Sequence, residues 1–349
     1  MHVLILTNPA AGLKGPQISP DRFQGVMEGW GWKVELQSAG VDTVRVAREA
    51  AERGLDMVIA AGGDGTVHQV VNGLVGTRTV LGVLPCGTAN DAARTLGLPP
   101  DPMDALFVLR DGLKHRIDLG LLNGHYFINV AAVGISAEAC AQVTKAQKQR
   151  MGRLAYYYNV VQKLLNQKPV SIRLVMEGAT AELTAELTGE LTAELTGELT
   201  GELTGELTGE LTEELEVYQL SIANGRFFGG GWRISDDARL DDRLLDVVAV
   251  ESLSPGKMLT GLVKGGGMAE RIGTRTWRLS RCRIETSQPL FVNLDGEPFT
   301  VESPLEFQVV PQIVQVCIPP EPMIDVKGGG LEPHLEADQA PTARSGRDA

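Results

Sequence analysis

The stretch Ala60-Ala-Gly-Gly-Asp-Gly-Thr-Val-His68 decides how the rest of this 349-residue chain is understood. Ahead of it, Leu55-Asp-Met-Val-Ile-Ala-Ala61 is a short apolar run, long enough for a buried strand and too short for a lone helix. Behind it, Val67, Val70, Val71 and Leu74 recur at helical spacing, and Gly76 offers a stop. Three glycines and an aspartate therefore stand where a strand gives way to a helix. Such a turn exposes successive backbone N–H groups and adds the positive end of the helix dipole, so it suits an anion. Glycine fits there because it tolerates positive φ and lets phosphate oxygens approach without a Cβ in the way. The expected ligand is a nucleotide phosphate. A glycine-rich turn can also be a tight connection and nothing more. Asp64 is the sharper signal, since an acid beside a phosphate needs a metal or a donor to justify it. Neither the P-loop nor the Rossmann fingerprint occurs.

Outward from there, Leu81-Gly-Val-Leu-Pro-Cys-Gly-Thr-Ala-Asn-Asp91 repeats the pattern of strand, Gly-Thr turn and helix start, with Asn90 or Asp91 as cap. Two consecutive units place both turns at one edge of a parallel sheet, where open α/β folds bind ligands. Together the two stretches resemble the diacylglycerol/sphingosine-type lipid kinase family in its bacterial branch. The resemblance runs from Asn8-Pro-Ala-Ala-Gly12 to about Pro304 and breaks at one insertion. It implies a doubly wound α/β N-terminal domain, a β-rich, sandwich-like second domain, and a site in the cleft between them. It also implies transfer of the γ-phosphate of ATP to the hydroxyl of diacylglycerol or a related lipid, with ATP and Mg²⁺ as cofactors. Two rivals remain at this point: a kinase with a soluble acceptor, of the NAD kinase or phosphofructokinase type, and a non-catalytic nucleotide-binding lipid sensor.

The length allows two domains, and the 43% apolar content fits a globular protein. Cys86, Cys140, Cys282 and Cys317 lack metal or disulfide spacing, which fits a reducing, cytoplasmic setting. Met1-His-Val-Leu-Ile-Leu-Thr7 lacks a basic n-region and reads as a first strand rather than a signal peptide. No apolar run has the length of a membrane span, so a lipid substrate has to be met at the membrane surface, peripherally at the inner face. The formal charge of −12 comes mostly from ten glutamates between Glu182 and Glu214 and argues against a nucleic-acid partner. A homodimer is an allowed assembly.

Along the chain, Val3–Thr7 and Lys33–Gln37 read as strands, and Pro20–Gly29, Val41–Arg53 and Pro102–Asp111 as helices. The second helix carries Val44, Ala47 and Ala51 as its apolar residues. The glycine-rich turn Asn8–Gly15 carries Lys14. From about Lys114 strands dominate: His115–Leu122 and His125–Val130 around Asn123-Gly124, then Val170–Met176, Glu216–Ala223, Leu245–Val250, Arg278–Glu285 and Leu290–Leu294. A long helical stretch, Ser136–Leu165, carries basic residues about Arg150 that read as a solvated face, with anionic lipid as the alternative. This gives a nucleotide-binding domain over residues 1–120 and a lipid-acceptor domain over 121–305. By the resemblance, a closing strand near 306–318 returns to the first domain. The tail 320–349 is expected to lack fixed structure.

Residues 180–212 hold the tetrapeptide [Ala/Gly]-Glu-Leu-Thr eight times over. Glycine costs a helix roughly 1 kcal/mol at each occurrence, and glutamates four apart repel. The segment reads as a repeat expansion in a surface connection between two strands, with an oligomerising or membrane-regulating role as the alternative.

Phosphoryl transfer needs positioning, charge neutralisation and a base. The nucleotide side is Asn8, the turn Gly62, Gly63, Asp64, Gly65 and Thr66, and Thr88, for which helix capping is the plain alternative. In Phe291-Val-Asn-Leu-Asp-Gly-Glu-Pro298 two acids flank a glycine, which by itself is an ordinary hairpin turn. The resemblance makes Glu297 the proton acceptor and Asp295 a supporting acid and second candidate. It likewise makes Arg239-Leu-Asp-Asp-Arg-Leu-Leu-Asp246 a structural magnesium loop, with ligands from Asp242 and the carbonyls of Arg239 and Leu244. The family usually has glycine at Arg243, where positive φ would be costly for arginine. A catalytic Mg²⁺ would arrive with ATP near Asp64 and Asp91. Val67-His68-Gln69 replaces the family's usual Val-Asn-Glu, and His68 reads as a surface or cap residue. Near Gln37-Ser38 the usual threonine is missing, which leaves one adenine-side contact open. Phe227, Phe228 and Trp232, in Asn224-Gly-Arg-Phe-Phe-Gly-Gly-Gly-Trp232, suit an acyl channel, a bilayer contact or core packing equally.

Overall fold

The inner parallel strands of the front domain, at 2–7, 57–62 and 80–85, are short, apolar and buried, as strands covered on both faces are, whereas the edge strand at 33–38 is largely exposed. A computed structural model describes residues 1–8, 19–40, 42–134, 169–177, 211–251 and 274–320. Lys14, the stretch Ser136–Leu165, all but the end of the repeat, and the tail from Glu321 onward lie outside the described residues. The front domain alternates β1 (His2–Thr7), α1 (Pro20–Gly29), β2 (Lys33–Ser38), α2 (Thr43–Glu52), β3 (Met57–Gly62), α3 (Asp64–Leu74), β4 (Val80–Pro85), α4 (Asp91–Thr95) and α5 (Pro102–Asp111). Its strands pair in parallel in the order β2-β1-β3-β4. Phe23 and Met27 of α1, Ala47 and Ala50 of α2, and Val67, Val70 and Leu74 of α3 close its core. Val44 faces out, 42% exposed, so the inward face of α2 is Thr43, Ala47 and Ala50.

The second domain comprises β5 (Leu113–Leu122), β6 (His125–Phe127), β7 (Val130–Gly134), β8 (Val170–Glu177), β9 (Leu211–Val217), β10 (Gln219–Ala223), β11 (Phe227–Phe228), β12 (Trp232–Arg233), β13 (Leu245–Val250), β14 (Thr274–Leu279), β15 (Arg281–Glu285), β16 (Leu290–Leu294) and β17 (Glu297–Val301). A sheet β14-β13-β10-β7-β16-β17 packs over β5, β15, β8 and β9. Leu122, Phe127, Leu220, Val247, Ile284 and Phe307 are among the residues between the two layers. The apolar runs Glu216–Ala223 and Arg278–Glu285, each expected as one strand, are two strands each. They break at Tyr218 and Ser280, where the chain leaves one sheet of the sandwich for the other.

The final strand, β18 (Leu305–Ile318), joins the halves. Its early residues pair with β15 and the end of β5, and its late residues with the start of β5 and, in parallel, with β4. The register shifts between Val310 and Val314, where Gln312 has φ +48° and donates its N–H to the buried Asp118 at 2.8 Å. β8 and β9 pair with Met176 opposite Leu211, so the repeat is inserted between two neighbouring antiparallel strands. Among the described residues, no helix is long and apolar enough to cross a membrane.

Candidate active site

Strand β3 ends at Gly62 and α3 starts at Asp64, so Gly63 alone makes the turn, with φ −95°. Gly62, Gly63 and Gly65 all avoid the left-handed region, which corrects the expectation that positive φ selects glycine here. Space selects it instead. A Cβ on Gly62 would lie 2.3 Å from Thr66 Oγ1, one on Gly87 would lie 2.3 Å from the Gly63 Cα, and one on Gly65 would lie 2.7 Å from Glu297 Oε1. The two glycine turns thus pack backbone on backbone at the carboxyl edge of β3 and β4. Cys86 N–H donates to the Gly62 carbonyl at 3.0 Å across that edge.

Asn8 lies at the end of β1, where its N–H donates to the Ala61 carbonyl at 3.2 Å and its Nδ2 to Thr66 Oγ1 at 3.4 Å. Thr66 is buried, whereas Thr88 is exposed on the second turn. Asn90, with φ +53°, does not cap α4 with its side chain. Its Oδ1 accepts the Gly87 N–H at 2.8 Å, and its Nδ2 donates to the carbonyls of Gly87 and Pro85. The cap comes from another helix: Asp64 Oδ1 accepts the Ala92 N–H at 2.9 Å. Burial, the Asp91 carboxylate and, more weakly, Asp295 push the Asp64 carboxyl up to about 7, against the pull of the Ala92 N–H. Asp91 itself is engaged, accepting from Arg94 at 3.0 Å and from the Gly230 N–H at 2.7 Å.

Across the domain boundary, Asp295 and Gly296 form the two-residue loop between β16 and β17, with φ +51° and +100°, as a type I′ turn requires. The Asp295 carboxylate accepts four bonds. Oδ1 takes the N–H groups of Asn129 (2.8 Å) and Val130 (3.1 Å); Oδ2 takes that of Ile128 (2.7 Å) and His68 Nδ1 (3.2 Å). A carboxylate offers about four acceptor positions, so this one has none to spare for a substrate proton. Asp295, kept as second candidate for the base, is by its geometry an anchor. Glu297, the first residue of β17, is exposed and sets Oε1 against Gly65 in the first turn of α3. Among the described residues no hydrogen-bond donor holds its carboxylate. His68 is no surface cap, because its side chain is only 16% exposed and turned to Asp295.

The loop 239–244 departs from the expected magnesium site. Asp242 Oδ1 accepts the Leu244 N–H at 3.0 Å, and Oδ2 pairs with Arg278 Nη2 at 2.5 Å. Arg278 Nε also lies 3.7 Å from Asp246, whose carboxyl burial raises to about 6. Arg239 sits 3.8 Å from Asp241. Arg243 does adopt φ +63° and donates its N–H to Asp118 at 2.7 Å. The carboxylate meant for the ion is thus neutralised by a guanidinium, and no group of three or more His, Cys, Asp or Glu side chains among the described residues could hold a metal. Asp242 therefore carries the Arg278 guanidinium where the resemblance expects an ion beside the carbonyls of Arg239 and Leu244.

The loop Asn224–Trp232 lies over α4. Phe228 packs with Val130, Ile234 and Val248, so core packing accounts for it. Phe227 is buried between the guanidiniums of Arg94 (5.7 Å) and Arg233 (6.0 Å). Sequence reasoning missed two groups. Asp118, fully buried in β5, donates its N–H to the Leu240 carbonyl at 2.6 Å and accepts from Gln312 and Arg243. Asn224 ties β10 to Asp118 and Ile128 through their carbonyls. The available signal for Asp118 was a charged residue inside the apolar run Ile117–Leu119.

Comparisons with known proteins cover most of the chain. Residues 2–122 match the diacylglycerol kinase catalytic domain, and residues 129–318 match the YegS C-terminal NAD kinase beta sandwich-like domain. A protein named probable lipid kinase YegS-like, from Chromohalobacter salexigens, is 34% identical over 276 residues, 76% of this chain and 77% of that one. A diacylglycerol kinase of Bacillus subtilis is 30% identical over 286 residues, 80% of this chain and 83% of that one. The crystal structure of a diacylglycerol kinase from Bacillus anthracis superposes with TM-score 0.64, covering 91% of this chain and 97% of that one. At 20% identity that likeness speaks for the fold alone.

Proposed function

The chain belongs to the diacylglycerol kinase and YegS-like lipid kinase family, and from that premise we propose that it transfers the γ-phosphate of ATP to the hydroxyl of diacylglycerol or a related lipid. One observation carries this reading: Glu297 Oε1 rests against Gly65, so a carboxylate of the second domain that no donor among the described residues holds faces the glycine turn of the first. The triphosphate would lie on the N–H groups that open α3 ahead of Thr66, whose own N–H already donates to the Gly63 carbonyl at 2.9 Å. Asn8, Thr66 and Thr88 would border it. As the lipid oxygen bonds to the γ-phosphorus, its proton passes to Glu297. The bond from that phosphorus to the β–γ bridging oxygen breaks, and ADP leaves with the electron pair.

Mg²⁺ delivered with the nucleotide would neutralise charge on the transferring phosphoryl group, and Asp64, crowded by Asp91 and Asp295, is the carboxyl that would hold it. The enzyme would meet its acceptor at a membrane surface from the cytoplasmic side.

The test is incubation of the full chain with labelled ATP, Mg²⁺ and micelles of diacylglycerol, sphingoid base, phosphatidylglycerol or a polyprenol, read by mass spectrometry. The expected product is a newly phosphorylated lipid. Label on NAD or a sugar phosphate instead would move the protein to the soluble-acceptor kinases. Bound nucleotide without any transfer would reject an enzymatic role.

A further inference from the structure

Helix α3 turns one polar stripe to the second domain: Gly65, His68 and Asn72, at the i, i+3 and i+7 positions that share a helix face. Each member meets a partner there. Gly65 lies under Glu297 Oε1, His68 Nδ1 is 3.2 Å from Asp295 Oδ2, and Asn72 Nδ2 donates to the Tyr126 carbonyl at 3.2 Å. The middle contact joins the nucleotide-side helix to the hairpin that carries the proposed base. Since Asp295 already accepts three backbone N–H bonds, the hydrogen of the fourth belongs to His68 Nδ1. The Asp295 side chain is 1% exposed, and such a shielded bond to a carboxylate is stronger and more directional than one in water.

The three backbone bonds tie Asp295 to the entry of β7, inside its own domain, and so fix the hairpin only there. His68 fixes it to α3. Asp295 and Glu297 flank a single residue, Gly296, so a shift of the first moves the second. We propose that His68 is a positioning residue for the kinase reaction: by holding Asp295 to α3, its Nδ1–H sets where Glu297 stands over the phosphate-binding turn. This rests on the kinase reading above, because it assigns Glu297 as the base.

The role belongs to one ring nitrogen, which makes it separable from packing. Asparagine presents a side-chain N–H₂ near the place of Nδ1, whereas glutamine reaches toward that of Nε2. The experiment compares the full chain with H68A, H68N and H68Q for lipid phosphorylation, for affinity to a fluorescent ATP analogue, and by ¹⁵N imidazole spectra. A displacement of about 1 Å in a reacting group can cost about a hundredfold, so H68A and H68Q are expected to lose about ten- to a hundredfold in kcat. Nucleotide affinity should stay unchanged, and H68N should recover most of the rate. The resonance lost in H68N should be that of an Nδ1-protonated ring.

A wild-type rate in H68A overturns the proposal. So does rescue by glutamine and not asparagine, which would put the work on Nε2. If the wild-type chain phosphorylates no lipid, the kinase reading falls and the role in catalysis with it. The spectrum then still decides the contact, since a ring without a proton on Nδ1 would show that His68 does not hold Asp295 by that bond.

Discussion

Asp295 and Asp64 are the same side chain in opposite surroundings, on the two sides of one cleft. Asp295 has a donor for every lone pair and fixes a hairpin in place. Asp64 accepts at the start of α4, yet lies half-buried beside the carboxylates of Asp91 and Asp295, and its carboxyl rises to about 7. A third aspartate, Asp242, is answered by the guanidinium of Arg278. The difference teaches that aspartates of one molecule are not interchangeable, because the groups around each decide what it can do. One anchors, one is short of positive charge, and one has had its cation built in. Glu297, outside that set, is the carboxylate to which the proposed function gives the acceptor's proton.

The comparison breaks first at Glu297. E297Q should lower lipid phosphorylation by about 10²- to 10⁴-fold, the range for loss of a general base, with nucleotide affinity unchanged in a direct binding assay. If D295N matched that loss while keeping its melting temperature, the roles given to the two acids would be reversed. D295A should instead act on the fold, because it orphans three buried N–H groups. A cost of about 3–5 kcal/mol in denaturant unfolding is expected, and a loss under 1 kcal/mol would deny the anchor.

Asp64 is tested by pH. Its carboxyl rises from 3.8 to about 7 on folding, so between those values the folded chain keeps a proton that the unfolded chain has released. Stability from this group is then fully present below about pH 4 and is lost as pH rises through about 7. D64N should therefore gain stability over the wild type with rising pH, by an amount on the order of a few kcal/mol above about pH 8. Lipid phosphorylation should fall in the same variant. A gap that does not change with pH would contradict the crowding. The smallest effect is at the Arg278 loop. R278Q should lose about 1–2 kcal/mol, while the melting temperature of the wild type ignores EDTA and added Mg²⁺. A wild type that melts lower in EDTA would restore the metal to that loop.

Much of the front domain was legible because each of its signals is local. An apolar run, a glycine turn and a helix start follow one another in β3–α3 and again in β4–α4, and Asn123-Gly124 and Asp295-Gly296 announce their own turns. The strand breaks at Tyr218 and Ser280 were not legible, since the β-favouring sequence runs on while the chain changes sheets. The reason for Gly65 was also hidden, because the group that excludes its side chain arrives from Glu297, far along the chain. His68 was misjudged for the same reason. Nothing in its neighbourhood shows that the fold brings Asp295 to it. Sequence marked where an anion could bind, and tertiary structure decided which acid stands across from it.

The most direct test of the central claim is a crystal structure of the full chain with a non-hydrolysable ATP analogue and Mg²⁺. The account predicts the triphosphate on the first turn of α3 at Gly62–Thr66, with the Glu297 carboxylate facing the γ-phosphate across the space for an acceptor hydroxyl. A nucleotide bound away from that turn, or a Glu297 side chain directed out of the cleft while nucleotide is bound, would contradict it.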